Sequence, residues 1–389
     1  MSSVFDQVIE RKGSGCFKYD ALLPLYGRDD LLALWVADMD FAIAPAIQEA
    51  LSKRLSHPVF GYNFRLDSYY DAVINWAQRR YHWTIHRDWL ISTPGIVPAI
   101  NLAVLTLTEP GDGVLIQTPV YGPFHHAATN HGRKLLCNRL IPAASGYQID
   151  FQEFDRLAGQ AKLFILCNPH NPVGRAFTED ELRKMGEICR KHGVTVFSDE
   201  IHADIVYDGH KHIPIASVDD LSSICISSFS PAKSFNLAGL ATAVTVCSNP
   251  KLFKPLNDLN EKLHLFIGNS FGISALTAAY TRAEDWLDQL VVYLAQNRNF
   301  IDKCLRDSLP MVKSQLPEAS YLSWLDFTDL GLDSETLWDL LVNKARLALD
   351  PGSKYGTGFE QFYRLNFACP RSRIVDAMDR IITEIGKLS

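Results

Sequence analysis

The segment SSFSPAKSFNLAG, residues 227–239, carries Lys233 just beyond an apolar run that reads as a buried strand, with Ser230 one turn earlier. A lysine brought into largely apolar surroundings loses hydration. Its pKa falls and its amine becomes a nucleophile suited to Schiff-base chemistry with a carbonyl compound. The same residues also fit a surface lysine at a strand end. A second segment, VTVFSDEIHADIVY at 194–207, ends an apolar strand in two adjacent carboxylates, Asp199 and Glu200. Carboxylates at the C-terminal edge of a parallel strand lie where α/β ligands bind, although an aspartate there also serves as an ordinary turn cap.

Two further segments bear on the same chemistry. CNPHNPVGRAF at 167–177 follows another apolar strand, and its two Asn-Pro pairs and Gly make a rigid turn-rich loop. Asn171 could donate its side-chain amide to a phenolate oxygen on a ligand ring; alone, the loop is only a turn. STPGIVPAINLAVL at 92–105 places Gly95 before an apolar helix, with Pro98 tolerable in the first turn. Free N–H groups at a helix start bind phosphate, a weak signal by itself. An aspartate such as Asp199 pairs with the pyridinium nitrogen in pyridoxal 5′-phosphate (PLP) enzymes and keeps it protonated, so that the ring accepts electrons.

These groups need strands to carry them. Short, nearly continuous apolar runs at Val114–Gln117, Leu163–Cys167, Val194–Ser198, Ile224–Ser227 and Val244–Cys247 fit strands buried on both faces. Between two of them, Thr178 and Glu181 form a capping box that opens a helix with apolar Leu182, Met185, Ile188 and Cys189, closed by Gly193. The alternation predicts an α/β fold with a mostly parallel sheet. Pro45–Leu55 and Trp286–Ser308 read as helices, Tyr321–Phe327 and Phe362–Phe367 as alternating strands, and Ser334–Asn343 and Ser372–Ile385 as further helices. The expected division is a large domain at 46–280 and a smaller α+β domain at 281–389, to which the N-terminal arm at 1–45 contributes.

Composition bounds the class. The chain has 389 residues, 47% hydrophobic and 21% charged, enough for a large core without staples. With 38 Lys+Arg against 44 Asp+Glu, the net charge of −6 argues against nucleic-acid binding. No apolar run reaches membrane-span length and the N-terminus lacks a signal-peptide pattern, so a cytoplasmic protein is expected. The eight cysteines are scattered, as free thiols in a reducing compartment would be. Neither His125-His126 nor the His82 and His86 pair has partners at zinc-site spacing, so no metal site is read.

Taken in order, the Gly-helix, the Asn-Pro loop, Asp-Glu and Ser-x-x-Lys resemble the aspartate-aminotransferase superfamily of fold-type I PLP enzymes over nearly the whole chain. WVADMDFAIAP (35–45), FGYNF (60–64), TPVYGPF (118–124), SDEIHAD (198–204), ASYLSWLDF (319–327) and FYRLNFACPRSRI (362–374) resemble one branch, the MalY/PatB-like cystathionine β-lyases of the class I/II aminotransferase superfamily. The resemblance implies PLP held by Lys233, its ring nitrogen on Asp199, its 3′-oxygen on Asn171 and its ring stacked on Tyr121. The phosphate would be held by Gly95, Ile96, Val97 and Ser230, with Tyr62 reaching over from the neighbouring subunit of a homodimer. Arg364 would grip the substrate α-carboxylate. Two positions depart from the wider superfamily and match this branch: Ala241 stands where many aminotransferases carry a phosphate-pairing Arg, and His202 stands where many carry a Tyr on the 3′-oxygen. His202 would contact the cofactor or support Asp199. The implied reaction is β-elimination on L-cystathionine or a related S-substituted cysteine, giving a thiol, pyruvate and ammonia. A class I/II aminotransferase shares the same active-site groups, and a regulatory binding protein that retains the PLP fold is a third alternative.

Overall fold

The computed structural model describes residues 3–143 and 146–388. Its centre is a seven-stranded sheet ordered Leu90–Thr93, Ala243–Val246, Cys225–Phe229, Thr195–Asp199, Ala161–Cys167, Gly113–Thr118 and Lys134–Arg139. The five strands from Cys225–Phe229 to Lys134–Arg139 run parallel to one another. Continuous apolar runs form these strands because both faces are covered. Leu163, Ile165 and Cys167 pack on one face with Ile96, Ile100 and Val104 of the helix Ile96–Leu107. Phe164 and Leu166 point to the other face, into a core shared with Phe154, Leu182 and Met185 of the helices Phe151–Ala158 and Glu179–His192. The capping box of Thr178 and Glu181 is formed, and Gly193 ends that helix in the left-handed region at φ 68°.

Ala243–Val246 is antiparallel to both its neighbours, a direction that its short apolar run does not encode. The outer strands Leu90–Thr93 and Lys134–Arg139 are not among the sequence expectations. The second of these alternates exposed and buried positions along KLLCNR, so it lacks the unbroken apolar signature of the central strands. The helix expected at 334–343 starts as an α-helix at Ser334–Trp338 and widens into a π-turn at Asp339–Lys344.

The C-terminal part builds an antiparallel sheet from Lys313–Ser314, Leu322–Asp326, Phe362–Asn366 and Asp350–Pro351. Asp350 lies directly opposite Arg364 in this sheet. The N-terminal segment bridges the two sheets. Leu32–Ala33 pairs with Leu347–Ala348. Beyond it, Asn366 Nδ2 donates to the Val36 and Asp38 carbonyls and Asn236 Nδ2 to those of Met39 and Phe41. Among the described residues, no helix is long and apolar enough to cross a membrane.

Thr178→Ala removes the hydroxyl that accepts the Glu181 N–H at 3.2 Å. It is expected to lower stability by about 1 kcal/mol, read as a lower urea midpoint; an unchanged midpoint would show that the cap contributes nothing.

Candidate active site

Strand ends collect the chemistry. Asp199 is the last residue of its strand, Cys167 ends the neighbouring one before the Asn171 loop, and Phe229 ends the next before Ser230 and Lys233. Tyr121 follows the end of Gly113–Thr118, and Gly95 follows Leu90–Thr93. Lys233, Asp199, Asn171, Tyr121, His202, Ser230, Gly95, Ile96, Val97 and Arg364 all line one cavity of about 480 Å³. Tyr62 does not. It is 96% exposed and lies in a separate depression between the helices Pro45–Ser56 and Ser270–Arg282.

The turn bearing Lys233 is held at both ends. Ser230 Oγ accepts from the Ala232 N–H at 3.0 Å and donates to the Thr242 carbonyl at 2.6 Å, closing the excursion between two adjacent strands. Lys233 Nζ donates to the Ala37 carbonyl at 2.6 Å. Burial first, then the Arg364 guanidinium, bring the ammonium down to about 8, against the opposing pull of Asp38 and Asp199. Asp199 accepts one backbone N–H, from Ile201 at 3.0 Å. Burial pushes its carboxyl up to about 7 despite that bond and the nearby Lys233. His202 is buried, with Nδ1 lacking a partner and the ring edge-on to Tyr321. Burial, Lys233 and Arg364 hold it well below the ordinary histidine range, so the imidazole is neutral.

Arg364, 2% exposed, donates from Nη1 to Asn171 Oδ1 at 3.1 Å and from Nη2 to the Trp35 carbonyl at 2.7 Å, and it pairs with Asp350 at 3.0 Å. Its Nε is unpartnered. Because Asn171 Oδ1 is taken, the amide NH₂ is the group left to donate. Asp350 itself accepts from Tyr355 Oη at 2.6 Å and Lys354 Nζ at 2.9 Å. Sequence reasoning missed Asp350, whose LALDPG context reads as a turn, and the carbonyls of Trp35 and Ala37, which no residue type announces.

The cavity therefore offers a deprotonatable amine, a buried carboxylate with one hydrogen bond, a neutral imidazole with a free nitrogen, and a guanidinium with an N–H to spare. The helix that starts at Ile96, capped by Gly95, adds N–H groups with no partner inside the helix. An anionic, ring-nitrogen-bearing aldehyde such as PLP satisfies these groups together, so the residues present fit it. No group of His, Cys, Asp or Glu arranged to hold a metal ion occurs among the described residues.

The shifts carry a stability cost. Between pH 4 and 7 an unfolded Asp199, with its ordinary value of 3.8, has lost the proton that the folded one keeps, so stability falls as pH rises through that window. From 10.5 down to 8 an unfolded Lys233 has gained the proton that the folded one refuses, so stability falls as pH drops through that window. Asp199→Asn is accordingly expected to raise the thermal midpoint of the cofactor-free protein at pH 8, with the gain shrinking as pH approaches 4. A midpoint that drops at pH 8 would show the carboxylate to be stabilising instead.

Comparison with known proteins identifies the family. The model of the aminotransferase class I and II family matches residues 29–381. The chain is 42% identical to cystathionine β-lyase PatB of Bacillus subtilis over 97% of this chain and 98% of that one. It superposes on the PLP-containing crystal structure of cystalysin from Treponema denticola with a TM-score of 0.96, at 33% identity and covering the whole of both chains. It superposes on the PLP-bound C–S lyase of Staphylococcus hominis with a TM-score of 0.92, at 30% identity and covering 99% of this chain and 98% of that one. The chain thus belongs to the class I and II aminotransferase family and, within it, to the PLP-dependent enzymes of the cystathionine β-lyase, or carbon–sulfur lyase, type.

Proposed function

We propose that the protein catalyses β-elimination from L-cystathionine or a related S-substituted L-cysteine, consuming one water and releasing a thiol, pyruvate and ammonia. The observation that carries this reading is the end-to-end similarity to cystathionine β-lyase PatB. The site geometry supports the individual roles. PLP, when bound, supplies an electron sink for the pair left at Cα when its proton is removed. Lys233 is the covalent anchor and, once displaced by the substrate amine, takes the Cα proton; an amine brought down to about 8 is poised for both tasks near neutral pH. The Cβ–S bond then breaks and the electron pair departs with the thiolate. Asp199 holds the charge on the ring nitrogen. Asn171 would hold the 3′-oxygen with His202 beside it, and Tyr121 would stack on the ring. Ser230 and the backbone of Gly95, Ile96 and Val97 cradle the phosphate. Arg364 binds the α-carboxylate through a charge-assisted contact.

Tyr62 completes the phosphate site of a second copy in a homodimer. Its near-total exposure fits a group whose partner lies outside its own chain. In the same reading residues 46–280 hold the cofactor, and the arm at 1–45 and the part at 281–389 close over it.

Purified holoenzyme mixed with L-cystathionine, without a keto-acid acceptor, is expected to release pyruvate and free thiol in equal amounts. No pyruvate in that mixture, with turnover appearing only once 2-oxoglutarate is added as acceptor, would instead make it an aminotransferase. Lys233→Ala is expected to lose the visible absorbance of the bound cofactor and at least about 10³-fold in turnover; retained turnover sinks its assignment. Mixing inactive Tyr62→Ala with inactive Lys233→Ala should restore activity, since one site of the mixed dimer carries neither defect. No recovery on confirmed subunit exchange would place Tyr62 outside the site.

A further inference from the structure

A second cavity, of about 560 Å³, adjoins the first and shares Tyr121, Asp350 and Lys354 with it as a common wall. Several charged and polar side chains stand in its wall. Lys354 Nζ sits 2.9 Å from Asp350 Oδ1 and 5.5 Å from the centre of the Trp35 ring, with its side chain 52% exposed. Asp350 takes one of its three N–H groups and leaves the others free. His125 contributes a buried Nε2 without a partner, and Glu360 contributes an exposed carboxylate. Asp350 ties the two cavities together. One of its oxygens faces Lys354 and the other faces Arg364 at 3.0 Å. A single carboxylate thus spaces a deep cation, enclosed at 3% side-chain exposure, from a shallow one at the mouth.

This arrangement suits a molecule with a carboxylate at each end. The deep cation takes the α-carboxylate beside the reacting carbons. The shallow one is left for whatever the leaving group carries. Resting on the β-elimination reading above, we propose that the second cavity receives the leaving-group half of the substrate and that Lys354 binds a carboxylate on it. Lys354 is then the residue that discriminates between substrates by the charge on their departing half. Glu360 lines the same space and matches an ammonium on such a tail.

The experiment compares kcat/KM for L-cystathionine and for S-butyl-L-cysteine, which has a tail of similar length without charge. It is run on wild type, Lys354→Met and Lys354→Arg holoenzymes. Methionine keeps the stem that lies on Trp35 while removing the charge. The preference for cystathionine is expected to fall roughly two- to fivefold in Lys354→Met, the size of a half-exposed charge pair, and to return in Lys354→Arg. An unchanged ratio overturns the proposal. So does an equal loss on both substrates, which would make Lys354 a support for Asp350 and Arg364. A wild type that releases pyruvate from neither substrate overturns the β-elimination reading and this proposal with it, whereas one that cleaves both with a ratio indifferent to Lys354 overturns the subsite alone.

Discussion

Lys233 and Arg364 share a cavity that neither would occupy by preference. Two cations in a poorly hydrated space repel, and each is costly to desolvate. The fold meets that cost with anions and carbonyls placed to different ends. Arg364 has Asp350 beside it and the Asn171 and Trp35 oxygens on its nitrogens, so it stays charged. Lys233 has the Ala37 carbonyl and only the more distant pull of Asp38 and Asp199, so it yields its proton near neutrality. Two cations of similar burial thereby acquire different jobs: one keeps charge to hold an anion, the other loses it to act as nucleophile and base.

Much of this difference is delivered by one extended segment. Between Trp35 and Phe41 the backbone gives carbonyls to Arg364, Lys233, Asn366 and Asn236, and so joins the strand that carries the arginine to the turn that carries the lysine. The segment is itself clamped. Asp40, 2% exposed, faces Arg11 at 2.7 Å and Lys18 at 3.2 Å and accepts from Tyr19 at 2.8 Å, while Arg11 also reaches Asp38 at 2.7 Å. A buried carboxylate surrounded by several partners is costly to leave half-satisfied, which fixes the position of the segment.

Legibility in the sequence follows from how local each signal is. The central strands and the Thr178–Gly193 helix were readable because burial on two faces, a capping box and a left-handed glycine each write themselves into neighbouring residues. The groups at the strand ends were readable because each follows its strand directly. The antiparallel direction of Ala243–Val246 was not, since a short apolar run looks the same in either direction. Ala37 acts through a carbonyl that every residue owns, and Asp350 acts through cross-strand pairing with Arg364, a relation between positions rather than a motif. Tyr62 could be singled out only by resemblance, because its side chain stands almost wholly exposed and away from the cavity that holds the other groups.

The antiparallel strand has a consequence for the chain closures that bring the two cations together. A parallel return from Phe229 would need a crossover that carries the chain to the opposite edge of the sheet. The reversed strand lets the chain turn back at the same edge, with Ser230 and Thr242 bonded across the gap. The lysine therefore sits on a local closure whose entropic cost is small, whereas Arg364 stands in a sheet far along the sequence and reaches the same cavity over a long loop. The nucleophile's turn closes over a short stretch of sequence, and the substrate's grip only over a long one.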